Sequence, residues 1–346
     1  MSARHIASVL WFPVLFAIAL PLVFLVAFHA PQPHQVPIAV VGSTRQVEAL
    51  SGELHAVNSG GFNVHQLSSP STAMAAVRDR NVAAAYVEGS SLSPRLYVAR
   101  AASAISANYL QQVFVQIASE SGTSPPQTVD LVPLLPGDSG TGIFFFAFPM
   151  VMVGVITVLV LLQKASTWSV ERRLVAVALM GAVGATTAYI TAINLDVLPN
   201  KPVLLLTAFL LSVIIGGLLV GLAPVLKQHF LPVVMTFILI LGVPSAGATM
   251  MPDLLPSGLR YLSDVLPLAQ AVKIIRSVAY FDGAETLAPT LILMVWAVVA
   301  LFVVGIAWDR QGNRGTKPGQ DSVAALPSAP SGINGSSEQV AATETR

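Results

Sequence analysis

The chain has 346 residues, 54% hydrophobic and 10% charged, with no cysteine and a formal net charge of +1; its mean hydropathy is +0.72. A soluble domain carries about a quarter charged residues, so most of this surface is not built for water. The lack of cysteine excludes disulfides, thiol catalysis and Cys-based metal sites, and the near-neutral charge gives no polyanion-binding character and hence no nucleic-acid partner.

Residues 6–28 form the first charge-free apolar run, about 35 Å long as a helix and enough to cross a bilayer. A signal peptide would have a shorter apolar core followed by a small-x-small cleavage site. This run ends Ala27-Phe28-His29-Ala30, with bulky residues in those slots, so residues 1–29 read as an uncleaved anchor.

Residues 30–141 then alternate strand and helix signals. Strands are predicted at 38–41, 62–67, 82–87, 96–99 and 129–132. Ser43 with Gln46 gives a capping-box pattern that opens a helix to about His55. Ser69 and Pro70 cap and start a second helix through Arg80. A third, 101–119, places Ile105, Tyr109, Val113 and Ile117 on one face.

Five more apolar runs follow at 143–162, 174–193, 203–226, 230–251 (broken near Pro244) and 287–308. The predicted fold is an α-helical polytopic membrane protein: six transmembrane helices, with a small α/β extracytoplasmic domain between helices 1 and 2. Residues 142–308 make the five-helix membrane domain, with a proline-rich re-entrant segment at 244–286. Residues 309–346, rich in Gly, Ser, Ala, Pro and Thr, read as a disordered cytoplasmic tail.

Cations set the expected orientation. Arg4, then Lys164, Arg172 and Arg173, then Lys227, then Arg310, Arg314 and Lys317 fall on one side of the membrane. The short loop after the third span carries only Lys201, set against Asp196. The positive-inside rule therefore puts both termini in the cytoplasm, although Arg260, Lys273 and Arg276 then lie outside in a longer, structured loop. Arginine outnumbers lysine and alanine is abundant, which points to the plasma membrane of a high-GC bacterium.

Chemistry-bearing motifs are few. His34, His55 and His65, with His29, lack metal-ligand spacing and read as surface residues. No Gly-x-x-x-x-Gly-Lys-Ser/Thr loop is present, so the chain has no phosphate cradle of its own, and no cofactor is expected. Ser139, in Pro136-Gly-Asp-Ser-Gly140, superficially suggests a nucleophile but reads as a turn. The spans hold no Asp, Glu, Lys or Arg, which argues against a self-powered ion-coupled antiporter. Ser212, Gly216, Gly217 and Gly221 form a small-residue ridge for internal helix packing or a homodimer interface. Thr186, Thr187, Thr191 and Asn194 give the third span a polar face, read as bonding between helices rather than lining a path.

The segment after the fifth run is the most informative: Gly242-Val-Pro-Ser-Ala-Gly247, Met251-Pro-Asp-Leu-Leu-Pro256, Leu266-Pro-Leu268 and Ala271-Val-Lys-Ile-Ile-Arg276. Prolines at Pro244, Pro252, Pro256 and Pro267 break a helix at membrane depth, which is tolerated only under protein or beside a water-filled cavity. A helix over 268–279 would carry Lys273 and Arg276 one turn apart. It reads either as an interfacial helix with its cations at the headgroups or as a re-entrant outer gate.

This segment resembles the end of the type-2 ABC-transporter permease fold, and the layout of one span, an external domain and five spans is similar. Val132-Pro-Leu-Leu-Pro-Gly-Asp138 resembles the junction of the phage-infection-protein-like and nitrosoguanidine-resistance-like branches. The resemblance implies a bilayer-embedded permease acting as a homodimer. It also implies a separate ATPase subunit docking on loop 163–173, with Trp168, Glu171, Arg172 and Arg173 as contacts. The run Glu171-Arg-Arg-Leu-Val departs from the drug exporters, which follow the Glu with a Gly-Thr-containing run, and this brings in the uncoupled branches. The expected function is export of a hydrophobic or lipid-like compound; the alternative is an envelope scaffold or receptor whose external domain binds a partner.

Overall fold

The computed structural model describes residues 3–28, 33–88 and 93–315. His29 and residues 316–346 of the expected tail lie outside the described residues. Five helical stretches are long and apolar enough to cross a membrane: Trp11–Phe28, Gly142–Lys164, Val170–Asn194, Pro202–Gly242 and Leu287–Gln311. They belong to α1 (Ala3–Phe28), α5 (Gly142–Lys164), α6 (Val170–Asn194), the pair α7 (Pro202–Leu226) and α8 (Phe230–Met235), and α11 (Leu287–Gly315).

The composite fourth stretch holds two of the expected crossings. α7 ends at Lys227, whose φ of 47° is left-handed, and the chain turns back. α8 then continues as a π-helical segment, Thr236–Gly242. The two arms face each other, since Leu218, Leu222 and Leu226 share a cleft with Val233 and Phe237. The returning arm is about 20 Å long, short of the roughly 20 residues a full crossing needs. It stops at Gly242 rather than reaching Met251, because Pro244 has no N–H to carry the ladder onward. The fifth run enters and breaks at Pro244, as its proline predicts.

α7 is the axis of the bundle. It packs against α5, α6 and α11 and is buried along most of its length from Leu204 to Ala223. The outer helices turn apolar side chains outward, Ile18, Leu22 and Leu25 on α1 and Leu291, Val298 and Phe302 on α11 among them. Exposed apolar faces of that extent are stable in hydrocarbon.

Between α1 and α5 lies a five-stranded sheet of order β2-β1-β3-β4-β5: Phe62–Gln66, Val36–Val41, Ala84–Val87, Arg95–Val98 and Gln127–Asp130. Only β3 and β4 pair antiparallel. α2 (Thr44–Val57) and α4 (Ala104–Glu120) cover one face, and α3 (Pro70–Arg78) covers the other. Gln46 Oε1 accepts from the Ser43 N–H and hydroxyl, and the Thr72 N–H donates to Ser69 Oγ, so both caps form where the sequence places them. Strand side chains alternate, with Ile38 and Val40 toward α4 and Ala39 toward α3.

α4 is rotated from expectation. It buries Leu110, Val113, Phe114 and Ile117, while Ile105 is left 43% exposed. Its first turn is committed elsewhere, to the broken segment of the membrane domain. That segment supplies Met250, Leu254 and Leu255 to the core under α4, and Met251 and Phe281 to the core under α3. Burial of a side chain this size contributes roughly 1.5–3 kcal/mol. The sheet domain is therefore completed by residues from the far end of the chain.

Candidate functional site

Two regions carry the residues singled out by sequence, one at each end of the bundle. The first, on the side of the sheet domain, is the broken segment. Each proline there starts a new short helix instead of merely ending one, because a missing N–H costs nothing at a first helical position. Pro244 and Pro252 open single turns, Pro256 precedes α9 (Ser257–Ser263), and Pro267 is the first residue of α10 (Pro267–Tyr280). Gly247, at φ +64°, reverses the chain after the first turn. The strand-like passage beyond it is stitched to α4: the Ser103 hydroxyl donates to Thr249 O at 3.0 Å, and the Met251 N–H donates to Ser106 Oγ at 3.1 Å.

α10 packs inside the protein, against α5, α7 and α11, with residues from Pro267 to Ser277 largely buried. Its two cations part company. Lys273 pairs with Asp264 at 2.9 Å near the surface. Arg276 turns inward, 4% exposed, and donates from Nη2 to Ala248 O at 2.8 Å. Its Nε has no hydrogen-bond partner among the described residues. Burial pulls the Arg276 pKa down to about 9; the like charge of Arg80 adds to this, and Asp138 and Tyr280 oppose it. The guanidinium is a pin holding the broken backbone against α10.

Residues with no expected part in the site complete this junction. Arg80, at the end of α3 with φ 62°, donates to Ser277 Oγ at 2.7 Å, lies 5.4 Å from the centre of the Phe281 ring and reaches Glu285 at 3.8 Å. Burial lowers its pKa, against the pull of Glu285. Asp138 Oδ1 accepts from the Gly140 and Gly142 N–H groups at 2.8 and 2.9 Å, and its Oδ2 accepts from the Tyr280 hydroxyl at 2.7 Å. Burial, then the bond to Asp138, pushes the Tyr280 pKa up, so the phenol remains the donor. Lys201 adds a further tie to α10 by donating to Val278 O at 2.7 Å. The only sequence signal for this set was the Pro-Gly-Asp-Ser-Gly turn, whose Asp precedes a helix start in the manner of a cap.

Beside the break, a cleft of about 300 Å³ runs between Phe24 and Phe28 of α1, Ile105 of α4, Phe144 of α5 and Pro244. It is the place where the exposed end of α4 meets the first span.

The second region is the loop joining α5 to α6, at the end of the bundle away from the sheet. Ser169 Oγ accepts from the Arg172 N–H, Arg173 folds back onto Ser166 O, and the Val170 N–H donates to Gln311 Oε1 of α11 at 3.0 Å. The loop is thus braced from both sides. Trp168, Glu171 and Arg172 remain exposed on it, whereas Arg173 belongs to the brace. An exposed tryptophan beside a carboxylate and a guanidinium is chemistry suited to a protein partner.

The small-residue ridge is occupied within the chain. Gly154 of α5 lies against Ser212 and Gly216, and Gly181 of α6 against Ser212. A methyl group built on Gly221 would come within 2.7 Å of the Val303 backbone of α11, whereas one on Gly217 would meet only Ala300, at 3.7 Å. Ser212 Oγ is buried without a hydrogen-bond partner among the described residues.

No curated protein and no solved structure matches the chain. A family model does, that of the ABC-2 family transporter protein, over residues 4–307. The match runs from the first helix into α11 and takes in the sheet domain, the bundle and the broken segment. The chain therefore belongs to the ABC-2 transporter family, as a multi-pass, non-catalytic permease-like membrane subunit.

Proposed function

We propose that this subunit exports a hydrophobic or lipid-like compound, as a homodimer in a bacterial plasma membrane, with both termini cytoplasmic and a separate ATPase docked on Trp168, Glu171 and Arg172. The observation that carries the reading is the braced loop between α5 and α6, which holds three chemically assertive side chains outward at the end of the bundle away from the sheet. Family membership supports it, since permeases of this family typically partner with an ATPase. The apolar runs carry no acid or base to hold a coupling ion, which supports energy supplied by another chain. Movement of the broken segment, pinned by Arg276 with Pro244, Pro252, Pro256 and Pro267 as its joints, is the proposed outer gating step, and Lys273 with Asp264 ties its surface side.

The test is co-reconstitution of the purified chain with a candidate free-standing ATPase in liposomes loaded with a fluorescent hydrophobic compound. ATP-dependent export that disappears in Trp168→Ala is expected. Failure of any ATPase to associate, together with no ATP-dependent movement, would overturn the reading.

A further inference from the structure

Two features noted in the sequence take no part in the reading above: the Pro136-Gly-Asp-Ser-Gly140 turn and the hydroxyl-bearing end of α6. The fold brings them together. A cleft of about 370 Å³ opens between the first turn of α5 and the last turns of α6. Ser139, Thr141 and Thr191 bring three hydroxyls to it, the first two 3.3 Å apart and bonded to each other with capacity left for a further partner, and Phe145, Ala188 and Leu195 give it apolar walls. None of the residues lining it is charged.

The back of the cleft is rigid. The Gly137 N–H donates to Asp196 O at 3.1 Å, and a Cβ at Gly137 would fall 1.8 Å from Leu195 O, so only glycine lets the two turns press together. The neighbouring carboxylate, Asp138, is consumed by Gly140, Gly142 and Tyr280 and does not line the space. The mouth is flanked by Phe145 and Leu195, 67% and 62% exposed. Both stand at the sheet-side ends of membrane-crossing helices, the level at which lipid headgroups meet their chains and, in the proposed topology, the outer face.

That position makes a bilayer lipid the occupant, and the lining selects its head. An anionic headgroup would be partly desolvated with no cation to meet it, a costly arrangement. A hydroxyl-bearing uncharged head finds three side chains that both donate and accept. We propose that this cleft is a binding site for one outer-leaflet lipid of the diacylglycerol class, its hydroxyl among Ser139, Thr141 and Thr191 and an acyl chain along Phe145, Ala188 and Leu195.

The test uses the full chain in phosphatidylcholine nanodiscs doped with a diacylglycerol that carries a diazirine on one acyl chain. No ATPase and no transport is involved, so the result is independent of the export reading. Irradiation followed by peptide mapping is expected to place the label on residues 141–146 and 188–195. Unlabelled diacylglycerol should compete and phosphatidylglycerol should not. Ala188→Phe, which fills the cleft, should cut labelling about tenfold or more. Thr191→Val keeps the shape at an exposed position, so the fold survives. It should lower the preference for diacylglycerol over phosphatidylcholine about fivefold, one hydrogen bond's worth. Label spread evenly over all lipid-facing helices, equal competition by phosphatidylglycerol, or no response to Thr191→Val would overturn the proposal.

Discussion

Tyr280 donates its hydroxyl to Asp138 Oδ2 across 2.7 Å, joining the last turn of α10 to the turn that begins α5. Asp138 is 7% exposed, so water is poorly placed to replace the phenol. Tyr280→Phe should cost about 1.5–3 kcal/mol, the range for a hydrogen bond to a charged group. Thermal unfolding of the purified variant in a mild detergent measures it, and an unchanged midpoint would show that the bond carries no weight.

The two glycines of Gly217-Leu-Leu-Val-Gly221 should behave differently although the motif treats them alike. Gly221→Ala drives a methyl into the Val303 backbone and should destabilise by about 1–3 kcal/mol by overpacking. Gly217→Ala meets only the Ala300 methyl at an ordinary distance and should be tolerated. Paired melting curves decide it; equal effects would mean that α7 and α11 do not pack at this register.

The stitch between the sheet domain and the broken segment is two hydroxyls deep. Ser103→Ala and Ser106→Ala should each cost about 1 kcal/mol, and the double variant should loosen the passage around Thr249 and Met251. Hydrogen exchange at 247–256 provides the readout, with faster exchange expected in the double variant than in either single one. Point changes are preferable here to deleting 35–133, which would strip the cover from Met250, Leu254 and Leu255.

Tyr86 stacks on Phe114 at 5.3 Å, and burial, helped by Glu88 and Glu53, pushes its phenol up to about 12. A pKa raised by folding means that the folded state holds the proton more tightly. The associated stability is complete below the ordinary value of 10.0 and is lost as pH rises through about 12. Tyr86→Phe cannot ionise, so its sheet domain should lose less stability than the wild type between those values. Denaturant unfolding at pH 9, 10 and 11 checks the sign.

Trp168→Ala and Arg172→Glu alter exposed side chains on the braced loop and should leave the melting temperature nearly unchanged. Association with the ATPase should fall about tenfold or more if these are its contacts. Arg173→Ala is the contrasting variant, because it removes the brace to Ser166 O and should cost stability as well.

Much of the fold was legible in the chain. Charge-free runs announced the membrane helices, because hydrocarbon admits no unpaired polar backbone and few charges. Ser43, Ser69 and the alternating strands announced the sheet domain, because caps and alternation are local signals. Locally encoded features kept their places to within a few residues. The expected crossing at 230–251 did not, since its apolar composition extends beyond the point where Pro244 and Gly247 let the backbone continue as a helix.

The broken segment was visible by its prolines, but its surroundings were not. Arg276 and Lys273 read as one face of a helix; contacts from Ala248, 28 residues before Arg276, and from Asp264, nine before Lys273, send one inward and one outward. Arg80, Ser103, Ser106, Asp138 and Tyr280 carried no signal of their joint role, because hydrogen bonds spanning more than a hundred residues leave no period or spacing to read. The sequence by itself determined a membrane chain with an inserted α/β domain, since hydropathy and capping are properties of neighbouring residues. Only the tertiary structure decided that this domain is finished by Met250, Leu254 and Leu255 and locked to α10, because core packing is settled by which distant side chains meet.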